Sequence, residues 1–257
     1  MAKCLTIVDD ASRIEVESEL RKQICKVGRR MYGRGFVVAC QGNLSARVDQ
    51  DRILVTPAGA CKGHLDPRDL LVTDLNGIVK CGTGRPSSEI LMHLLFYRLR
   101  PDVLAVCHAH PLTATGFAAA GRALDVPVLP EVVLDLGTIP LAPYGTPGTG
   151  DLCESLQPFV GKHDAILLEN HGVVTCGQNL SAAYQRLETV EQFARILLIA
   201  HSLGGPHLLS PVNIQKLIAA RPRRGVWGPA RCVELSPRSK SAEGQVIAKH
   251  ESQGGIG

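Results

Sequence analysis

The chain has 257 residues, 45% of them hydrophobic and 20% charged, enough for one sizeable buried core in an ordinary globular α/β protein. Its formal net charge is only +4 and 4% of its residues are aromatic, which argues against a nucleic-acid binder built on a basic stripe with interleaved aromatics. No apolar run is long enough to span a bilayer, and the start MAKCLTIVDDASRIE lacks a signal-peptide core and cleavage pattern, which points to the cytoplasm.

Residues 10–32 read as a helix, with Leu20, Ile24, Val27 and Met31 at helical spacing, Asp10 or Ser12 as cap, and Gly33 and Gly35 as stop. Strand-like pieces follow: FVVAC, LSARV, RILVT and LLVTD, with Asn76-Gly77 as a hairpin turn into IVK. Pro86 and Ser87 then open a helix to about Arg100, with Ile90, Leu91, Leu94, Leu95 and Leu99 as its buried stripe. A strand over 103–109, an Ala-rich helix over 112–121, the piece TIPLA, a helix over 150–160 and the buried strand AILLEN complete the middle. Asn179 or Ser181 caps a last long helix that buries Tyr184, Leu187, Val190, Ala194, Leu197 and Leu198 and stops at Gly204-Gly205. After a short helix at 211–220 the text turns Arg-, Pro-, Ser- and Gly-rich. The expected organisation is therefore one domain over 1–220 and a basic, mobile tail over 221–257. The nine cysteines form no CxxC pair and their number is odd, so most read as small buried apolar residues of a reducing compartment.

Chemistry concentrates in histidines. His108 and His110, in LAVCHAHP, lie two apart, so in a strand both imidazoles point to one face and reach one ion. The alternative is two histidines bonded to neighbouring backbone. His171 follows a second buried strand, in ENHGVV, beside a glycine that permits close backbone approach. Three imidazoles leave the fourth position of a tetrahedral zinc open, as a catalytic site requires. His93 shares a helix with Glu89, one turn away, and is a weaker candidate ligand beside the leucine stripe. His64, His163, His201, His207 and His250 fall in loops, near helix ends or in the tail.

Anion-binding elements accompany them. Gly42-Asn43-Leu44-Ser45 is a polar turn between strands, Ala58-Gly59 follows ILVTP, and Ser87-Ser88 begins a helix. A helix start can hold phosphate through its unpaired N–H groups, or Ser87 can simply cap the helix. Glu89 is either a favourable first-turn charge or, beside an open metal, a general base. GTPGTG at 145–150 lacks the Lys-Ser/Thr ending of a phosphate loop and reads as a turn.

QGNLSAR, LVTPAG, RPSSE, VCHAHP and LLENHGVVTCG, in this order and spacing, resemble the class II aldolase/epimerase family over roughly residues 12–205. The resemblance implies a three-layer α/β/α single domain around a largely antiparallel sheet, and a homotetramer with active sites at subunit interfaces. It also implies zinc, with manganese or cobalt as substitutes, on His108, His110 and His171. Gly42, Asn43, Ala58, Gly59, Ser87 and Ser88 match the phosphate pocket, with Ala58 where the aldolase has a threonine. Glu89 matches the catalytic acid/base, and without substrate a fourth metal ligand. Where the aldolase carries a catalytic tyrosine from across the interface, VPVLPEVV offers Glu131. The implied activity is reversible cleavage of a ketose 1-phosphate, of the fuculose, 5-deoxyribulose or methylthioribulose type, to dihydroxyacetone phosphate and an aldehyde. Rivals on similar chemistry are methylthioribulose-1-phosphate dehydration, sugar-phosphate 4-epimerisation and 3-oxo acid phosphate decarboxylation. A rival of another class is a non-catalytic binding module. The implied partner is a phosphorylated sugar, with no nucleic acid and no membrane.

Overall fold

The computed structural model describes residues 10–220, so the basic tail expected from residue 221 lies outside the described residues. The first helix, α1 (Asp10–Gly33), buries Ile24, Val27 and Met31, and Gly35, at φ +69°, turns the chain after it. Arg21 ties α1 to the loop below through the carbonyls of Pro67 and Leu70, both at 2.8 Å.

Eight strands form one sheet. They are β1 (Asn43–Arg47), β2 (Ile53–Val55), β3 (Leu71–Thr73), β4 (Val79–Cys81), β5 (Ala105–Ala109), β6 (Leu141–Ala142), β7 (Ala165–Leu168) and β8 (Gly172–Gly177). Their order is β4-β3-β2-β1-β5-β8-β7-β6. Every pair is antiparallel except β6 with β7. The Asn76-Gly77 turn joins β3 to β4 as its sequence predicts, with Gly77 at φ +81° and the Asp74 N–H on the Ile78 carbonyl at 3.0 Å.

Alternation along the strands divides the core in two. On one face α1, α3 (Leu112–Ala119), α4 (Pro130–Asp135) and α6 (Leu180–Ser202) pack over Leu44, Ala46, Ala105, Cys107 and Ala109. On the other, α2 (Ile90–Leu99) and α5 (Gly150–Val160) cover Ile53, Val55, Val106, Ile166 and Val174. The expected three-layer α/β/α arrangement around a largely antiparallel sheet is the one observed. A last helix, α7 (Pro211–Ala220), follows Gly204 and Gly205, both at positive φ.

Several local expectations are corrected. FVVAC is not a strand. Phe36 and Val37 are buried in a turn, Ala39 takes φ +49°, and the Phe36 carbonyl accepts the His110 N–H at 2.9 Å. α2 begins at Ile90, not at Ser87, because Pro57 and Pro86 form a bridge and the Ser87 N–H binds the Thr56 carbonyl at 3.2 Å. Its buried side is Met92, His93, Leu94, Phe96 and Tyr97, whereas Leu91 and Leu99 are exposed. Leu198 of α6 is also exposed. Of the seven cysteines among the described residues only Cys25, Cys107 and Cys176 are buried. The strand β8 and the short helix α4 went unassigned in the sequence. GTPGTG is the expected turn, ending in Thr149, whose hydroxyl accepts the Asp151 N–H at 3.2 Å to cap α5.

Below the sheet, Asp164 joins three elements. Its carboxylate meets Arg100, after α2, at 2.9 Å and Arg186 of α6 at 3.0 Å, while Arg100 also holds Asp102 at 2.6 Å. Arg100 and Asp164 are both buried. Removing one member of such a pair strands the other's charge, so Asp164→Ala is expected to cost about 3–5 kcal/mol in urea unfolding. A loss below about 1 kcal/mol would show that water or Asp102 takes over the role.

Candidate metal and phosphate site

The site grows from the ladder around β5. Cα partners are Asn43 with His108 on one side, and His108 with Val174 on the other. The His108 side chain is fully buried and donates from Nδ1 to the Val173 carbonyl at 2.9 Å. That bond engages Nδ1 and turns Nε2 towards the site, the orientation usual for a metal-binding imidazole. His110, two residues on, shares the face and brings its Nε2 within 3.1 Å of His108 Nε2. His171 arrives on the turn between β7 and β8, after Asn170 at φ +54°. One nitrogen from each of the three rings lies within 4.8 Å of the others. The spacing argument from the sequence therefore holds, and these three residues could hold a metal ion.

Glu89 stands at the N-cap position of α2 and faces this cluster. Its Oε1 lies 3.0 Å from His171 Nε2 and its Oε2 lies 3.3 Å from His108 Nε2. Burial opposes its ionisation, but the positive charge of His108 and His171 beside it outweighs that and holds the carboxyl well below the usual range. Burial, together with repulsion from His108 and His171, pushes His110 down to about 3, so its imidazole is neutral and able to bind a cation. Glu89 Oε1 and His171 Nδ1 are buried without a hydrogen-bond partner. Three converging imidazoles, an ionised carboxylate and unmet polar atoms make a donor set suited to a divalent cation.

Of the expected phosphate residues, Asn43 and Ser87 contact Glu89 directly. Gly42 (φ +68°) precedes Asn43, whose Nδ2 donates to Glu89 Oε2 at 2.8 Å and to Ser87 Oγ at 2.9 Å. The Pro57–Pro86 bridge and the Ala58 N–H on the Arg85 carbonyl at 2.9 Å hold the Ala58-Gly59 turn against the 85–88 segment. Ala58, Gly59 and Ser88 are exposed at the mouth. Ser87 is not the helix cap: its hydroxyl is the acceptor for Asn43 and, at 3.4 Å, for the Glu89 N–H.

Glu131 is placed apart. It is exposed on α4 and lines a cleft of about 400 Å³ with Arg34, Glu188 and Arg195, and none of the three histidines lines that cleft. His93 is corrected as a candidate ligand, because Asn43 and Ser45 occupy both its ring nitrogens. Lys62 was missed. It is buried, and its ammonium donates to the Cys40 carbonyl at 2.9 Å and the Ala60 carbonyl at 2.5 Å, joining the loops that carry Gly42 and Gly59. A lone lysine in a short KGH turn carries no periodic signal that could have revealed this.

The model of the Class II Aldolase and Adducin N-terminal domain matches residues 22–198. The chain belongs to this family. It is similar to the 3-oxo-tetronate 4-phosphate decarboxylase of Escherichia coli K12, 34% identical over 72% of this chain and 89% of the relative. It is also similar to the L-fuculose phosphate aldolase of Methanococcus maripaludis, 35% identical over 69% of this chain and 96% of the relative. Among solved structures, YgbL of Escherichia coli matches with a TM-score of 0.74 and 32% identity, over 79% of this chain and 99% of that one. An L-fuculose 1-phosphate aldolase matches with a TM-score of 0.73 and 30% identity, over 79% and 95%. No helix among the described residues is long and apolar enough to cross a membrane.

Two glycines let the chain close around His108. A Cβ at Gly42 would lie 2.5 Å from Val37 Cγ1 and 2.7 Å from the His108 carbonyl, and one at Gly172 would lie 2.6 Å from the Ala109 carbonyl and from His110 Cδ2. Gly172→Ala is expected to push His110 out of place and lower retention of an added divalent metal at least tenfold in metal analysis after dialysis. Gly59→Ala, at φ +72° but in open space, should retain the metal and lose only about 1–3 kcal/mol of stability. Equal metal loss in both would place the cause in general destabilisation.

Proposed function

We propose that the chain is a metal-dependent class II sugar-phosphate aldolase. It would cleave a ketose 1-phosphate reversibly to dihydroxyacetone phosphate and an aldehyde. The observation that carries this reading is the ionised Glu89 set 3.0–3.3 Å from two of three converging histidines, with Asn43 and Ser87 beside it. His108, His110 and His171 would hold the ion, zinc or in its place manganese or cobalt, and Glu89 would complete its shell when no substrate is present. Bound there, the metal supplies Lewis-acid stabilisation of charge on the substrate's oxygens.

The chain's own residues supply the rest. Gly42, Asn43, Gly59, Ser87 and Ser88 would grip the phosphate and so fix the reacting carbons. Ala58, with no hydroxyl, would give no side-chain hydrogen bond. When the C3–C4 bond breaks, C4 leaves as the aldehyde after its hydroxyl loses a proton, and C3 must gain one. Glu89 would carry the proton at C3. The hydroxyl proton needs a second base, for which Glu131 of a neighbouring protomer in a homotetramer is the candidate. Its own exposure on α4, in a cleft that none of its chain's three histidines lines, agrees with a role across an interface.

Decarboxylation is the second reading, supported by the relatives named 3-oxo-tetronate 4-phosphate decarboxylase. Loss of carbon dioxide from that acid phosphate also leaves dihydroxyacetone phosphate, after one proton is added to the carbon that bore the carboxylate. Detection of dihydroxyacetone phosphate therefore cannot separate the two reactions; the expelled fragment does. A panel of ketose 1-phosphates and 3-oxo acid phosphates on zinc-loaded protein is expected to yield an aldehyde. Carbon dioxide with no aldehyde would overturn the aldolase reading in favour of the decarboxylase. Glu89→Gln should keep its metal and lose roughly 10²–10⁴-fold in turnover, along with solvent deuterium exchange into dihydroxyacetone phosphate. Undiminished exchange would remove Glu89 from the proton step.

A further inference from the structure

Behind Glu89 runs a buried polar chain that the reaction scheme leaves unused. Asn43, Ser45, His93 and Tyr97 are all at most 3% exposed. Asn43 Oδ1 lies 2.5 Å from His93 Nε2, His93 Nδ1 lies 2.6 Å from Ser45 Oγ, and Ser45 Oγ lies 2.7 Å from the Tyr97 hydroxyl. The sequence spacing explains how it forms. Glu89, His93 and Tyr97 are four apart on and just before α2, and Asn43, Ser45 and Arg47 are two apart along β1. Four helical residues advance about 6 Å and two strand residues about 6.8 Å, so the two rows keep step over this length. Arg47 ends the row, donating to the Tyr97 carbonyl at 2.6 Å with its guanidinium 5.0 Å from the ring centre.

Elimination fixes every proton. Asn43 Nδ2 donates to both Glu89 Oε2 and Ser87 Oγ, so the side of the amide facing them is the NH₂. The other side of the amide is then its oxygen, and His93 Nε2 must donate to it. A neutral imidazole that donates from Nε2 accepts at Nδ1. Ser45 therefore gives its hydroxyl proton to His93, and the Tyr97 hydroxyl donates to Ser45. Burial supports both assignments: it pushes His93 down to about 3, which keeps the ring neutral, and it raises Tyr97, which keeps the phenol protonated. All donors in the chain point towards Glu89. The amide in its middle does not pass protons readily, so the chain orients groups and does not conduct.

We infer that His93 is a positioning residue, held as the Nε2–H tautomer, which locks the Asn43 amide with its N–H groups on Glu89 and Ser87. The inference rests on the proposed roles of Glu89 and Ser87 for its functional consequence, but the tautomer can be read without any reaction. In full-length, zinc-loaded protein labelled with ¹⁵N-histidine, long-range ¹H–¹⁵N spectra should show His93 with a bare Nδ1 and a protonated Nε2. A protonated Nδ1 would overturn the inference whatever reaction the protein runs. With dihydroxyacetone phosphate as probe, His93→Leu should retain zinc yet bind roughly tenfold or more weakly, because the amide is free to turn. His93→Gln, which can both donate and accept, should restore affinity to within about threefold. Equal losses in the two variants would mean that His93 only fills space. If His93→Leu does not fold, Ser45→Ala replaces it. There the Asn43 oxygen still takes the Nε2 proton, so the spectrum should keep the protonated Nε2, and a switch to the Nδ1–H tautomer would overturn the inference.

Discussion

The register of β5 between β1 and β8 is the constraint on which the site depends. It sets Asn43 opposite His108 on one side and Val174 opposite His108 on the other. A slip of one residue would send Asn43 to the opposite face of the sheet, away from Glu89. The same ladder gives the Val173 carbonyl to His108 Nδ1 and so selects the nitrogen that faces the cavity. Gly42 and Gly172 flank the His108–His110 backbone on either side, each in a space that a Cβ would overfill. The three histidines, Glu89 and Asn43, the proposed metal and phosphate groups, thus owe their placement to one pairing.

Electrostatics then decides what that geometry holds. A buried carboxylate is costly unless compensated, and Glu89 is compensated by two imidazoles and an amide N–H. The compensation is incomplete, since one carboxylate oxygen has no hydrogen bond. Burial and repulsion from His108 and His171 hold His110 neutral, so a cation at the centre of the three rings would answer both that imidazole and the open carboxylate oxygen. The Asp164 network below the sheet is balanced differently. Two arginines face a shared aspartate there and Asp102 offsets the excess, which makes a clamp between elements and not a vacancy for a ligand.

Much of this was legible in the sequence, and the failures have particular causes. The HxH pair and the ENHG turn were readable because a strand's period of two leaves little freedom for neighbouring ligands. The antiparallel hairpins were readable because Asn76-Gly77 names its own turn. FVVAC misled because its apolar content is real, but Phe36 and Val37 are buried by a turn that also feeds a carbonyl to His110. The stripe of α2 was misassigned because hydrophobicity favours Leu91 and Leu99, whereas His93 and Tyr97 take the inner side. Their polar atoms are satisfied by Asn43 and Ser45, residues more than 40 positions away, and a pairing of that range has no local signature. Glu131 stood out only through resemblance, and its exposure on α4 keeps it outside the geometry that one chain can supply.

Aldol cleavage and decarboxylation can share this site because both ask the same of it. Each needs a gripped phosphate, a stabilised charge on oxygens beside the breaking bond, and one proton delivered to the carbon left behind. In the proposed scheme Asn43, Ser87, Glu89 and the three histidines would meet those needs without touching the departing fragment. The fragment would instead meet the rim, where Ser88 and most of the 145–150 turn are exposed. These segments are not pinned by the β5 ladder, so substitutions there can change what is expelled without disturbing the ligands. Relatives 34–35% identical to this chain bear both decarboxylase and aldolase names, as expected when the rigid part of a site fixes the shared proton step and the loose part selects the substrate.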